Sequence, residues 1–509
     1  MKNMKQYIRL SLFIIGIATI FACKKDLSTL DLNKIEGVTV DTTGMGVLNV
    51  FQFDHLVVKP KLTTNLTDAE VMYEWRINID PSDTTSQLLA TTKDLDAEIR
   101  LRPNDFGKYY QLRLIATDRA TQLQYISSWN VNVRNSIGEG LVIAETTADG
   151  SASDISHIMN SMVTPDYNAE SIKRNVYSAI NGSTIPGLIS QFRYTNIFGV
   201  TSLLAITNNS IAKINTIDYT LGGFNEELFS NHDYAFKPEG LYGIQQGDIY
   251  MENGKFIFTY LGANRLFGVP FDTKFTVPAK IALNRNSDAS IVINFYDEVK
   301  GAFVYLPSLN FGDKNMYAYP AGAGVFNAGN LPGRTNLAAG YGVDNEFVHV
   351  LKNKTTGKTE LYTFKAGETD ADWNIIISSP KAFFDLSNAP GINEATHFVI
   401  MDNQKVLYYA TATMVYAVLF STATPTYEER YTLPAGETIT TLQVYQQSDY
   451  PYSETYLPGN NNQLIMSTYG TEGKVYILPL KNLGVGNIDL PAVKTYAGFG
   501  KITAIATQK

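Results

Sequence analysis

The sequence predicts an all-β chain, a two-sheet sandwich followed by a propeller of about seven four-stranded blades. Three observations point there. Tyr (31) and Phe (26) are abundant and, with many Thr, Val and Ile, suit the pleated, half-buried surfaces of strands. Charged residues make up only 18% of the chain, few for helices with solvated faces. Short apolar runs separated by polar turns recur along most of the length. One helix is expected, around Ser153–Met162.

At the N-terminus Lys2, Lys5 and Arg9 precede an apolar run from Leu10 to Phe21, then small Ala22 and Cys23. A basic head, a short apolar stretch and a small residue at the cut make a secretory signal. A bilayer span needs about 20 apolar residues, and this run is shorter. Cys23 is the only cysteine, so the mature chain has no internal disulfide and no thiolate metal site. Ile20-Phe21-Ala22-Cys23 resembles a bacterial lipobox, with Phe21 in place of the usual smaller residue. The resemblance implies cleavage before Cys23 and acylation of its thiol, so that lipid tethers everything downstream. Lys24-Lys25-Asp26 is similar to the short charged signal that sends lipoproteins of Bacteroidota to the outer cell surface. Residues 1–22 are therefore expected to be a signal peptide and 23–34 a polar tether, on a protein anchored by lipid in the outer membrane and exposed on the cell surface.

Residues 35–135 carry the sandwich. Strand patterns occur at "LVVKPKLT" (56–63), "VMYEWRIN" (71–78), "LDAEIRL" (95–101), "YYQLRLIATD" (109–118) and "YISSWNVNV" (125–133), divided by polar turns. Trp75 falls mid-strand, where a sandwich-core Trp packs. Asp105 and Gly107 followed by Tyr109-Tyr110 have the form of a tyrosine corner, with Tyr110 inward by alternation with Leu112, Leu114 and Ala116. Trp129 shares parity with Val131 and Val133 and is assigned to the core. Trp75 and the stretch Gly107 to Asp118 resemble the PKD-type immunoglobulin-like domain, and more narrowly the PKD-like lipoproteins of Bacteroidota. The Gly-Asp-Gly usual after the Trp strand is replaced by "RINIDPSD".

Residues 138–509 repeat. Hairpins of two apolar strands begin near residues 140, 202, 255, 290, 346, 405 and 463. Each after the first follows a further short strand, such as "GLISQFRY", "YGIQQG", "HFVIMD" or "TTLQVYQQ". Strand, hairpin and trailing strand make a propeller blade. The hairpin at 140 lacks a preceding strand, and "KITAIATQK" (501–509) lacks a hairpin. The C-terminal strand is therefore expected to complete the blade begun at Gly140 and close the ring. Six and eight blades are also compatible with the spacing.

The five histidines stand singly, and no metal or cofactor site is expected. A net charge of −8 argues against nucleic acid. No catalytic motif stands out, so no enzyme is expected; Asp149 and Asp154 suit a hairpin turn. In a blade the first and third connections share one face. The long ones are 446–463 and the segments after 304–308 and 362–373. They carry Trp373, Tyr450, Tyr452, Tyr456, Tyr317 and Tyr319 with Asn460, Asn461, Asn462, Asp370 and Asp372. Aromatic faces beside amides and carboxylates suit sugars or a protein partner; Trp373 could instead start an outer strand. The PKD-like resemblance implies company with SusC/SusD-type nutrient uptake systems. The expectation is a non-enzymatic glycan-binding or accessory lipoprotein of a polysaccharide uptake system. A scaffold for an outer-membrane uptake complex and a propeller glycosidase or lyase are the alternatives.

Overall fold

The computed structural model describes residues 37–508 apart from 42–45, 105–106, 166, 198–199, 245–246, 260–265, 272–273, 285–291, 308–314, 323, 371 and 373. Cys23, the signal, the tether and Trp373 lie outside the described residues. The regular structure among the described residues is almost all strand, with one six-residue α-helix, Val176–Asn181. No helix among the described residues is long and apolar enough to cross a membrane. Two compact units form, one ending at Val133, the other beginning at Arg134 and including Phe51–Phe53.

The first unit is the immunoglobulin-like sandwich. A five-stranded sheet runs in the order Leu48–Phe51, Gln124–Arg134, Tyr110–Asp118, Val71–Asn78, Ser86–Ala90. Beside it His55–Val58 pairs with Leu95–Glu98, and Thr39–Asp41 with Lys61–Thr63. Period-2 alternation puts Tyr110, Leu112, Leu114 and Ala116 inward. Fully buried Trp75 packs on Trp129 with ring centroids 5.6 Å apart, and its Nε1 donates to Thr92 O at 3.0 Å. Tyr110 donates its hydroxyl to Arg102 O at 2.9 Å, the bond that defines a tyrosine corner. The run 56–63 reads as one strand but is two, broken at Lys59-Pro60, because Pro60 has no N–H for the ladder.

The second unit is a propeller of seven blades, with Glu368–Thr369 and Ile375–Ile376 paired as a separate small ribbon. Its first strands contact one another in sequence and so line the axis: Ile502–Gln508 touches Gln191–Ile197 and Thr438–Val444, and Arg334–Gly342 touches Ala282–Leu283 and His397–Ile400. The C-terminal strand takes the innermost place in the first blade, paired antiparallel with Gly140–Thr146 from Gly140↔Gln508 to Glu145↔Ile502. Neighbouring blades are also stitched by side-chain amides. Gln191 brackets Leu241, donating to its O at 2.6 Å and accepting from its N at 3.0 Å.

Two expectations are corrected here. The segment expected to be helical, Ser153–Met162, is mostly the strand Ala152–Met159; the helix lies further on. That strand is buried on nearly every residue, so it shows neither period clearly, and an apolar run of that kind cannot be told from a buried helix. In the third blade the hairpin is Gly247–Glu252 with Lys255–Phe258, one strand earlier than expected. Asn253 and Gly254, at φ 51° and 67°, form a two-residue primed turn between them.

Candidate binding site at the mouth of the axial channel

The connection between Thr438–Val444 and Gln463–Tyr469 is long, and its polar residues hold it in one shape. Gln447 N donates to Asn460 Oδ1 at 2.7 Å, Leu457 N to Gln447 Oε1 at 2.6 Å, and Asn461 N to Tyr445 O at 2.9 Å. Gln447, Asn460 and Asn461 are buried, so these amides brace the loop and are not offered to a ligand. Tyr450 packs edge-on against Tyr456 at 5.3 Å, whose hydroxyl accepts from Ser453 N at 2.7 Å.

This braced loop sets Tyr450, Pro451 and Tyr452 over one end of the axial channel, where a cavity of about 800 Å³ opens. The remaining wall comes from the inner strands: Arg193 within Gln191–Ile197, and Tyr242, Asn284, Tyr341, Asp402 and Gln446 at or just past the C-terminal ends of theirs. Arg193 Nε lies 3.9 Å from Asp248 Oδ1. Burial pushes the Asp248 carboxyl up to about 6, against the pull of Arg193 and Lys213. Asp402 accepts from Gln446 Nε2 at 2.9 Å, and Asp344 pairs with Lys405 at 3.3 Å. Burial raises the Tyr242 and Tyr341 phenols to about 12, so both stay neutral donors at ordinary pH. Tyrosine faces, amides, carboxylates and one guanidinium share the space. Such a lining suits a polyhydroxylated ligand better than an apolar one.

The structure brings Tyr450 and Tyr452 together at the cavity, with Tyr456 behind them. Tyr317 is 41% exposed on an outermost strand, stacked on Tyr305 at 5.7 Å, away from the channel lining. Tyr319 is a correction. It is 4% exposed in the core, where it accepts from Asn294 Nδ2 at 2.6 Å, so it has no free face for a ligand. Asp370 caps its own turn, accepting from Asn374 and from Asp372 N, and those bonds hold its carboxyl below the usual range. Asp372 is exposed on the same turn. Asp149 accepts from Ser151 and Thr147 as a turn residue, which brings its carboxyl down to about 2. Buried Asp154 accepts from Ile155 N and Ser178 N. No group of three or more His, Cys, Asp or Glu among the described residues could hold a metal ion.

Arg193, Asn284, Tyr341 and Asp402 were not singled out from sequence. Their one signal is a polar residue in or just after a blade's inner strand, as in "QFRY", and it acquires meaning only once six of those strands converge on the cavity.

A model of the PKD-like family matches residues 26–188. No curated protein matches the chain. Among solved structures, it is similar to a quinonprotein alcohol dehydrogenase-like protein from Bacteroides thetaiotaomicron, with TM-score 0.47 and 10% identity over 93% of this chain and 99% of that one. It is similar also to apo AztD from Citrobacter koseri, with TM-score 0.34 and 8% identity over 86% and 98%. PorZ, a surface component of the type-IX secretion system of Porphyromonas gingivalis, matches with TM-score 0.28 and 9% identity over 78% and 44%.

Proposed function

We propose that this protein is a surface lipoprotein, anchored in the outer membrane through Cys23, that holds a glycan without turning it over as an accessory of a polysaccharide uptake system. One observation carries the glycan reading: Tyr450 and Tyr452 stand on a braced loop at the mouth of a cavity of about 800 Å³ whose exposed lining is more polar than apolar. Stacking a sugar's C–H face on a ring removes apolar surface from water at about 25 cal/mol per Å², while exchanging hydroxyl hydrogen bonds adds little net. A wall that is already ordered loses little entropy on binding. The lipid anchor rests on the lipobox-like sequence before Cys23, and the association with SusC/SusD-type outer-membrane proteins on the PKD-like resemblance.

Affinity electrophoresis against a panel of polysaccharides tests the proposal. Wild type should be retarded by at least one glycan, with no release of reducing ends. The double replacement Tyr450→Ala/Tyr452→Ala should weaken retention about tenfold, a cost of about 1.4 kcal/mol. Wild type ignored by every glycan, yet co-purifying with an outer-membrane protein, would make it a scaffold. Release of sugar ends would make it an enzyme.

A further inference from the structure

The mouth cavity is walled all the way round. Six inner strands, or the residues just past them, supply its lining. An adjoining space of about 340 Å³ shares Phe192, Ala339 and Val444 with it and brings in the seventh strand through Ile505 and Thr507. Gln191–Ile197 touches Pro238–Ile244 on one side and Ile502–Gln508 on the other, and Thr438–Val444 touches His397–Ile400. Between the third and fourth blades the Tyr242 hydroxyl closes the seam, donating to Ala279 O at 2.9 Å. Among the described residues the site is therefore a well around the propeller axis and not a groove across its face.

The well is kept open by small residues. Ala339 lies three residues before the mouth end of Arg334–Gly342, about 10 Å down at about 3.3 Å per residue. It is only half-buried, and its neighbour Gly340 has no side chain; a Cβ there would meet Ile400 of the next blade at 3.2 Å. Further along the axis a space of about 310 Å³ continues past Phe192. A polymer bound by an internal segment needs two ways out, as an open groove provides. A well gives the chain one way in, so whatever enters does so end first. A cavity of about 800 Å³ encloses most of a drug-sized ligand, which is room for a few sugar rings.

We propose that this site takes the end of a glycan chain, a terminus or a short branch, and passes over internal segments. The proposal rests on the glycan reading above and adds to it the part of the polymer that is recognised. Tyr450 and Tyr452 hold the rings at the lip, and the terminal ring lies against Ala339 and Gly340.

The test is calorimetric titration with the polysaccharides of the electrophoresis panel, linear galactan, inulin and pullulan among them. Each is used as size-fractionated oligosaccharides and as the long polymer, with concentration counted in chains. A linear chain has one end of each kind whatever its length, so affinity per chain should stay level once the well is filled. Internal segments multiply with length, and a chain ten times longer would then bind about tenfold more tightly. Ala339→Trp fills the well and leaves both tyrosines in place. It should weaken binding by about tenfold or more at the wild-type melting temperature, and Ala339→Ser should bind as wild type does. Affinity per chain that climbs with length, or a folded Ala339→Trp protein with wild-type affinity, overturns the end-on inference and leaves the glycan reading standing. If Ala339→Trp does not fold, the length series on wild type decides alone. Binding to no glycan in any form would end the glycan reading and this inference together.

Discussion

The buried hydroxyl of Tyr219 donates to Gln508 Oε1 at 2.7 Å, joining two blades across 289 positions of sequence. The same amide donates through Nε2 to Thr216 O at 2.8 Å and Gly138 O at 2.9 Å. One C-terminal side chain therefore satisfies two buried groups and a partly buried one at the seam of the ring. Gln508→Ala would leave them without partners, each costing about 1–3 kcal/mol, and should lower the melting temperature of the propeller. Deleting residues 501–509 should do more, because it removes a whole inner strand and leaves two open edges. The expected result is loss of the protease-resistant propeller. A chain ending at Gly500 that melts cooperatively at the full-length temperature would show that closure lies elsewhere.

Acid should unfold this unit through its histidines. His349 is fully buried among Phe303 and Phe364, with ring centroids 5.0 Å and 5.9 Å away, and burial lowers its pKa to about 3; His157 is lowered to about 3 in the same way. Between about 6.5 and about 3 the unfolded chain therefore binds protons that the folded chain refuses. Stability from these groups is complete above about 6.5 and is lost as the pH falls, by up to about 1.4 kcal/mol per pH unit for each histidine. Asp248 works in the opposite direction, since its raised pKa favours the folded state as the pH drops below about 6. Denaturant melts of wild type and His349→Phe from pH 7 to pH 4 should diverge by about one proton's slope. Parallel curves would mean that His349 protonates without unfolding the blade.

The propeller was legible because blades stack face to face. A middle strand such as Val406–Ala410 is buried on both sides, so it reads as an unbroken apolar run ending in a polar turn. The same property hid the nature of Ala152–Met159, where no alternation marks a strand. In the sandwich one outward face restores the alternation, and Trp75, Tyr110 and Trp129 could be placed inward from parity alone. The site was legible only in part. Tyr450 and Tyr452 are visible as aromatics in a long loop. Arg193 looks like an ordinary strand charge, and Tyr319 looks like a loop aromatic. Only the meeting of strand ends at the axis, and the inward turn of the fourth blade's outer strand, tell them apart.

The loop at the cavity mouth should matter through its stiffness as well as its rings. Asn460 accepts from Gln447 N and is buried within the loop that carries Tyr450 and Tyr452. Asn460→Ala leaves that N–H without its partner and loosens the wall while every ring remains. Affinity for a bound glycan should fall several-fold, with the entropic cost of ordering the loop now borne at binding. The change should appear in calorimetry as a less favourable entropy. An unaltered affinity would show that the loop is held by its other bonds.

Anchoring is the prediction that depends on the sequence before residue 37. Each buried CH₂ of an acyl chain contributes about 0.8 kcal/mol, so a single chain holds reversibly and a multiply acylated Cys23 holds firmly. No other cysteine exists in the chain to take that role. Wild type should therefore fractionate with membranes and be released only by detergent, whereas high salt should leave it in place, since screening does not weaken an apolar anchor. Cys23→Ala removes the acceptor thiol. It should leave the protein as an uncleaved precursor or release it in soluble form, with the propeller's melting temperature unchanged in either case. Protease added to intact cells would report orientation, because a surface-exposed protein is cut and one facing the periplasm is spared. A processed Cys23→Ala protein that stayed on the membrane as firmly as wild type would rule out the lipid and transfer the anchoring to a protein partner.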